Sequence, residues 1–208
     1  MIEIYYNDNE IVICEKQYGV SSQKSNGENM VDMLSRQLNC EIYPVHRLDT
    51  TTTGLMVFAK TEKSASILSS QIANRDFDKY YLAICHGKIE NSGKMQDFLY
   101  HDRIKNKSFV VESKRKGSKE AILEYEKIAE NESLALVKIH LLTGRTHQIR
   151  VQFSSRGNML YGDGKYGAKD NDRIALHSHI LELTHPSTKE KMRFVSTPNG
   201  KAWSSFEI

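Results

Sequence analysis

The chain has 208 residues, 39% of them apolar and 26% charged, and its 29 Lys plus Arg against 26 Asp plus Glu give a net charge of +3. That length suits one domain with a sizeable core, spanning 1–208, and the charge is only mildly basic for a nucleic-acid binder, so local distribution carries more information than the total. Three cysteines (Cys14, Cys40, Cys85) without Cys-x-x-Cys spacing exclude a disulfide framework or zinc knuckle. The acidic opening (Glu3, Asp8, Glu10) excludes a signal peptide, and no apolar run is long enough to span a membrane, so a soluble cytoplasmic protein is expected.

Ile2–Tyr6 and Ile11–Cys14 flank Asn7-Asp8-Asn9 and predict a hairpin, because polar turn formers divide two runs rich in branched and aromatic residues. Met30, Val31, Leu34 and Leu38 recur at helical spacing, Leu55–Ala59 predicts a buried strand, and Thr61 caps a helix whose face carries Ile67, Leu68 and Ile72. Further strands are predicted at Tyr80–Cys85, Ala121–Ile128 and Leu134–Leu142, the last two separated by the polar turn Glu130–Ser133. Thr146 is placed to cap a helix through Arg150 to about Ser155, and strands at His177–Leu183 and Met192–Val195 flank the turn Pro186–Lys191. Many strands with few helices between them predict an α+β fold with a mixed, mostly antiparallel sheet. No internal repeat or low-complexity linker interrupts the pattern.

His46-Arg47-Leu48-Asp49 precedes four threonines, Gly54 and an apolar strand. A cation two positions before a carboxylate, on a short loop that ends at a glycine, is an arrangement that holds a carboxylate for chemistry. Alone, the segment fits a solvated structural turn equally well.

It does not stand alone. Thr143–Phe153 (Thr-Gly-Arg-Thr-His-Gln-Ile-Arg-Val-Gln-Phe), Lys79–Gly87 and Leu176–Pro186, in this order after His-Arg-Leu-Asp, make nearly the whole chain, about Tyr5 to Pro198, resemble the large RNA pseudouridine synthase family. That resemblance implies the family's catalytic fold, with flanking helices and loops around a central cleft, and isomerisation of uridine in ribosomal or transfer RNA. It calls for no cofactor and no metal, and RNA is the expected partner of a monomer with no membrane association. Because the first strand pattern starts in the opening residues, no separate N-terminal RNA-binding domain is expected. Gln17, where proline commonly follows the lysine, Thr50, Thr53 in place of serine and Gln152 in place of histidine depart from the family pattern. They bear on substrate identity more than on reaction class.

By resemblance Asp49 is the essential nucleophile or base, and Arg150 is the cation that keeps it ionised, since a nearby guanidinium favours a carboxylate's charged form. Tyr81 would lie against the uracil of a flipped uridine, and Arg47 would fill the gap it leaves or hold a phosphate. His147 would orient the site or contact the backbone, with Ile149 supporting beside Arg150. Tyr80 falls on the opposite strand face.

His177 and His179 share a strand face, but no third ligand accompanies them, and we take them for hydrogen-bonded structural histidines. Lys105, Lys107, Lys114, Arg115, Lys116 and Lys119 crowd one stretch that would suit either a phosphate backbone or ordinary solvent. An RNA-binding module without catalysis and a small-glycoside hydrolase are the rival functions. The first is opposed by the presence of Asp49, Tyr81 and Arg150, the second by the lack of an evident second acid.

Overall fold

A computed structural model describes residues 1–207. They form two compact units, Met1–Lys79 with His177–Pro198, and Tyr80–Leu176 with the residues from Asn199 onward. The class is α+β with mostly antiparallel strands, as the sequence predicts.

In the first unit, strands β1 (Ile4–Asn7) and β2 (Ile11–Lys16) form the predicted hairpin. Its turn is held by Asp8, whose Oδ1 accepts the N–H groups of Glu10 and Ile11, each at 2.8 Å. Helix α1 (Met30–Leu38) is capped by Asn29, and the short β3 (Tyr43–Pro44) joins the edge of β4 (Thr53–Ala59). β4 lies antiparallel to β2. Both read as near-continuous apolar runs because both are buried on both faces. Thr61 caps α2 (Glu62–Asn74) by accepting the Ser64 N–H at 3.1 Å.

After β5 (Asp78–His86) the chain leaves this unit and returns to it at its far end as β10 (Leu176–Thr184), which pairs in parallel with β4 and antiparallel with β11 (Lys191–Val195). Ile11, Ile13, Leu55, Val57, Leu68, Phe77, Leu181 and Leu183 form the core of the unit. Each such side chain contributes about 1.5–3 kcal/mol when fully buried.

The second unit is an antiparallel array in the order β5, β9 (Leu134–Leu141), β8 (Ser118–Glu130), β6 (Ser92–Asp102), β7 (Lys107–Val111). The β6–β7 hairpin is absent from the sequence-based expectation. β6 buries only Met95 and Leu99 and carries charged residues and Gly93, so its alternation is faint. Gly93 lets the Tyr125 ring lie over β6, since a Cβ at that position would come within 2.8 Å of it and push the ring aside. Leu82, Ile84, Leu136, Ala175, Ala202 and Trp203 form one core of this unit.

Helix α3 (Gln148–Ser154) occupies the predicted place but not with the predicted cap. Thr146 is not the N-cap; His147 is, with left-handed backbone (φ 55°) and no side-chain capping bond. Gln148 ties the approach to the helix, its Oε1 accepting the Arg145 N–H at 3.0 Å and the Thr143 hydroxyl at 2.8 Å. The Thr146 carbonyl accepts the Ser108 hydroxyl at 2.6 Å, which ties the start of α3 to β7.

Candidate active site

Residues 48–52 form a turn whose backbone is tied down carbonyl by carbonyl. Leu48 accepts the Ser22 hydroxyl at 2.8 Å, Asp49 accepts the Thr52 N–H at 2.9 Å, and Thr50 accepts the Gly19 N–H at 2.9 Å. Lys16, at the end of β2 and 0% exposed, sends its ammonium into the same turn and donates to Thr52 O at 2.7 Å, Gln17 O at 3.0 Å and Thr50 O at 3.1 Å. An ammonium has three donors, and these three carbonyls satisfy them. Burial pushes Lys16 down to about 8, and the charge of Asp49 acts on it in the opposite direction.

Arg47 is exposed, Leu48 is buried as the anchor of the turn, and Asp49 is half-buried. The turn's own backbone bonds therefore fix where the Asp49 side chain starts, before any substrate is present.

The strand after the turn is fixed as firmly. Gly54 has φ 106° and faces β10 so closely that a Cβ would sit 2.3 Å from the Ser178 carbonyl oxygen, so only glycine fits. Thr53 meets His177, Oγ1 to Nδ1 at 2.8 Å, and His177 Nε2 meets the Ser196 hydroxyl at 3.0 Å. Ser196 donates onward to Glu15 at 2.7 Å. The one direction that satisfies this chain has a neutral His177 with its proton on Nε2. Burial pushes His177 down to about 4, and His179 adds to the effect. His179 Nδ1 meets the Ser196 carbonyl at 2.6 Å, so both histidines are hydrogen-bonded, as expected. Groups of three metal-ligating side chains are absent among the described residues.

His46 is neutral as well. Its Nε2 accepts the Val57 N–H at 3.1 Å, and burial, with Lys79 nearby, pushes it down to about 3.

The second unit carries the other expected residues. Arg150, 5% exposed on α3, is gripped by Asp163, 2% exposed, through Nε to Oδ2 at 2.6 Å and Nη2 to Oδ1 at 2.7 Å. Its guanidinium also lies 5.2 Å from the Tyr166 ring centre. The Tyr166 oxygen meets His147 Nδ1 at 3.0 Å, accepts the Ser108 N–H at 2.9 Å and donates to the Ser108 carbonyl at 3.2 Å. This assignment puts a proton on His147 Nδ1. Burial pushes the Tyr166 phenol up to about 12, so it stays neutral.

Thus His147 and Arg150 are brought together on one partner, Tyr166. Ile149 is buried between them in sequence, and Tyr81 is buried on β5. Tyr80 stacks on His140 with ring centres 4.6 Å apart, on the other strand face as expected.

Sequence reasoning missed Lys16, Asp163 and Tyr166. Lys16 ends an apolar strand and is buried with it, which a charged residue at a strand terminus does not announce. Tyr166 closes a three-residue 3-10 helix, Gly164–Tyr166, and Asp163 precedes it, a segment too short to show a periodicity.

The fold is α+β, with Asp49 on a backbone-pinned turn of the first unit and Arg150 in a bidentate clamp within the second. Residues 10–155 match the family model of RNA pseudouridylate synthases, and the chain belongs to that family. It is 34% identical to the uncharacterised RNA pseudouridine synthase YhcT of Bacillus subtilis, over 91% of this chain and 66% of that protein. With tRNA pseudouridine synthase C of Haemophilus ducreyi the identity is 29%, over 92% of this chain and 88% of that protein. The solved structure of Human RNA Pseudouridylate Synthase Domain Containing 1 superposes with a TM-score of 0.81 at 21% identity, covering 95% of this chain and 84% of that one, a likeness of fold. The chain spans about two thirds of the length of several curated relatives that it matches.

Proposed function

We propose that the protein is an RNA pseudouridine synthase that isomerises a uridine in ribosomal or transfer RNA, with Asp49 as its essential catalytic group. The observation that carries this reading is the Asp49 turn, in which the protein itself occupies the Leu48, Asp49, Thr50 and Thr52 carbonyls in a chain of this family. Backbone bonds of that number hold the Asp49 main chain in one place, and so the point from which its carboxylate reaches a single glycosidic bond.

The reaction breaks the bond between ribose C1′ and uracil N1, turns the base within the pocket, and joins C1′ to C5. The C5 proton is lost and N1 gains one, so atoms and electrons balance with no external group. An ionised carboxylate serves each of three routes: attack on the ribose, attack on the uracil ring, or removal of a ribose proton to give a glycal. In our reading Arg150 is the guanidinium that keeps Asp49 ionised, and Tyr81 lies against the detached base and takes part in proton removal at C5. Arg47 fills the gap left by the flipped nucleotide, while His147 and Ile149 support Arg150. The protein works as a cytoplasmic monomer without a cofactor.

The test is to map pseudouridines in ribosomal and transfer RNA with and without the protein, then to repeat the conversion with Asp49→Asn on the transcript so identified. Loss of conversion by at least about a thousandfold, with RNA binding kept, is expected. Conversion by Asp49→Asn at the wild-type rate overturns the assignment.

A further inference from the structure

Residues 102–119 hold seven Lys or Arg against two Asp or Glu, a net of +5, whereas the whole chain carries +3. The rest of the protein is therefore slightly acidic, and the positive charge is gathered at one end of the second unit. The fold shapes that end deliberately. β6 and β7 are joined at Arg103–Asn106, and β7 then crosses to β8 through residues 112–117, passing beside Tyr100 of β6. Asp102 Oδ1 holds the tip by accepting the N–H groups of Ile104 at 2.9 Å and Lys105 at 3.0 Å. Lys165 adds a bond to the Asn106 carbonyl at 3.0 Å.

The crossover is held too. The Arg115 guanidinium lies 4.8 Å from the Tyr100 ring centre, and the Ser118 hydroxyl bonds both the Arg115 N–H and its carbonyl, at 2.9 and 2.8 Å. At the base of the hairpin, Ser108 is fixed by Thr146 and Tyr166. Arg103, Lys105, Lys114, Lys116 and Lys119 remain exposed on this frame, and Ile104 stands 98% exposed between the first two. One sign of charge predominates on this ordered hairpin, which concentrates a positive field at its tip and crossover.

We propose that this hairpin and crossover form a binding surface for the phosphate backbone of RNA, with the apolar Ile104 tip set against a base face between two phosphate-contacting cations. The inference rests on the RNA substrate of the proposed function and adds the surface that grips it. Phosphate contacts of this kind position the nucleic acid without reading its sequence. Charge complementarity favours a polyanion, and the scaffolding favours one whose anionic groups recur along a chain.

The test uses the full chain and an unmodified transfer RNA transcript, with affinity measured between about 50 and 200 mM salt. Joint replacement Arg103→Ser, Lys105→Ser, Lys114→Ser and Lys116→Ser is expected to weaken binding at least tenfold and to flatten the slope of log affinity against log salt by about three, at roughly 0.7 per phosphate released. The charge-keeping set Arg103→Lys, Lys105→Arg, Lys114→Arg and Lys116→Arg should retain the wild-type slope, which together with an unchanged melting temperature separates lost charge from lost fold. An unchanged slope in the serine variant overturns the inference and leaves the surface to an acidic protein partner. If the wild type binds RNA through the hairpin yet isomerises no uridine, this inference stands and the proposed function falls; if it isomerises uridine and the serine variant binds as well as wild type, the reverse holds.

Discussion

Arg150 and Asp163 are joined side to side, Nε to Oδ2 at 2.6 Å and Nη2 to Oδ1 at 2.7 Å, with both groups nearly excluded from water. A fork held in two places leaves the guanidinium no rotational freedom, and the Tyr166 ring 5.2 Å away closes a further direction. The arginine of α3 is thus aimed by a residue thirteen positions later, in a loop without regular structure.

Breaking a buried charge pair by removing one partner costs about 3–5 kcal/mol. Asp163→Ala is therefore expected to lower the urea midpoint by a corresponding amount, and Arg150→Lys to lower kcat because one ammonium does not reproduce a planar fork. In the double variant Asp163→Ala with Arg150→Met the stability loss should be smaller than the sum of the two single losses. Additive losses would show that the pair does not act as a unit.

Lys16 presents the opposite balance. Its drop to about 8 corresponds to roughly 3 kcal/mol of disfavoured charge. Lys16→Met relieves that cost but strands the Gln17 and Thr52 carbonyls at about 1–3 kcal/mol each, while the Thr50 carbonyl keeps the Gly19 N–H, so net stability should change by less than the carbonyl cost alone. Activity should fall at least about tenfold, because Thr50 and Thr52 lose their tether beside Asp49. The pH dependence gives a second check. With a folded value below the unfolded one, the unfolded chain binds the extra proton between about pH 8 and pH 10.5, so wild-type stability gains a rising component across that window, and Lys16→Met should lack it. A variant with full activity would remove Lys16 from the site.

His177, 1% exposed and pushed down to about 4, predicts acid sensitivity. Below the ordinary histidine value near pH 6.5 the unfolded chain takes up a proton that the folded chain refuses, so stability falls as pH drops from about 6.5 toward 4. At pH 5 the loss from this group is about 2 kcal/mol. His46, pushed down to about 3, acts in the same direction. Thermal melts at pH 7 and pH 5 should show a smaller pH-induced drop in His177→Gln than in wild type. An equal drop in both would assign the acid sensitivity elsewhere.

Most elements were legible because their local signals agree with their burial. Asn7-Asp8-Asn9 announced a hairpin that Asp8 then closes, and Thr61 announced a helix that it then caps. The β6–β7 hairpin was illegible because its strands are half-exposed and their apolar residues few, so the partner strand β8 rather than the sequence defines its register. Thr146 misled for a related reason. A threonine before a helix is a good cap in isolation, but here its carbonyl serves Ser108, and the helix starts one residue later from a left-handed His147 with no side-chain cap.

The site divides along the same line. Asp49, Arg47, Tyr81, His147, Ile149 and Arg150 stand in contiguous motifs, and short motifs survive in sequence because each is read by its immediate neighbours. Lys16, Asp163 and Tyr166 do not. They act on residues 13 to 58 positions away, through a buried ammonium on Thr50 and Thr52, a bidentate clamp on Arg150 and a phenol shared by His147 and Ser108. The sequence by itself determined the family and singled out these motif residues. Only the tertiary structure decided what holds them, because hydrogen bonds and charge burial depend on distance in space, which no local pattern records.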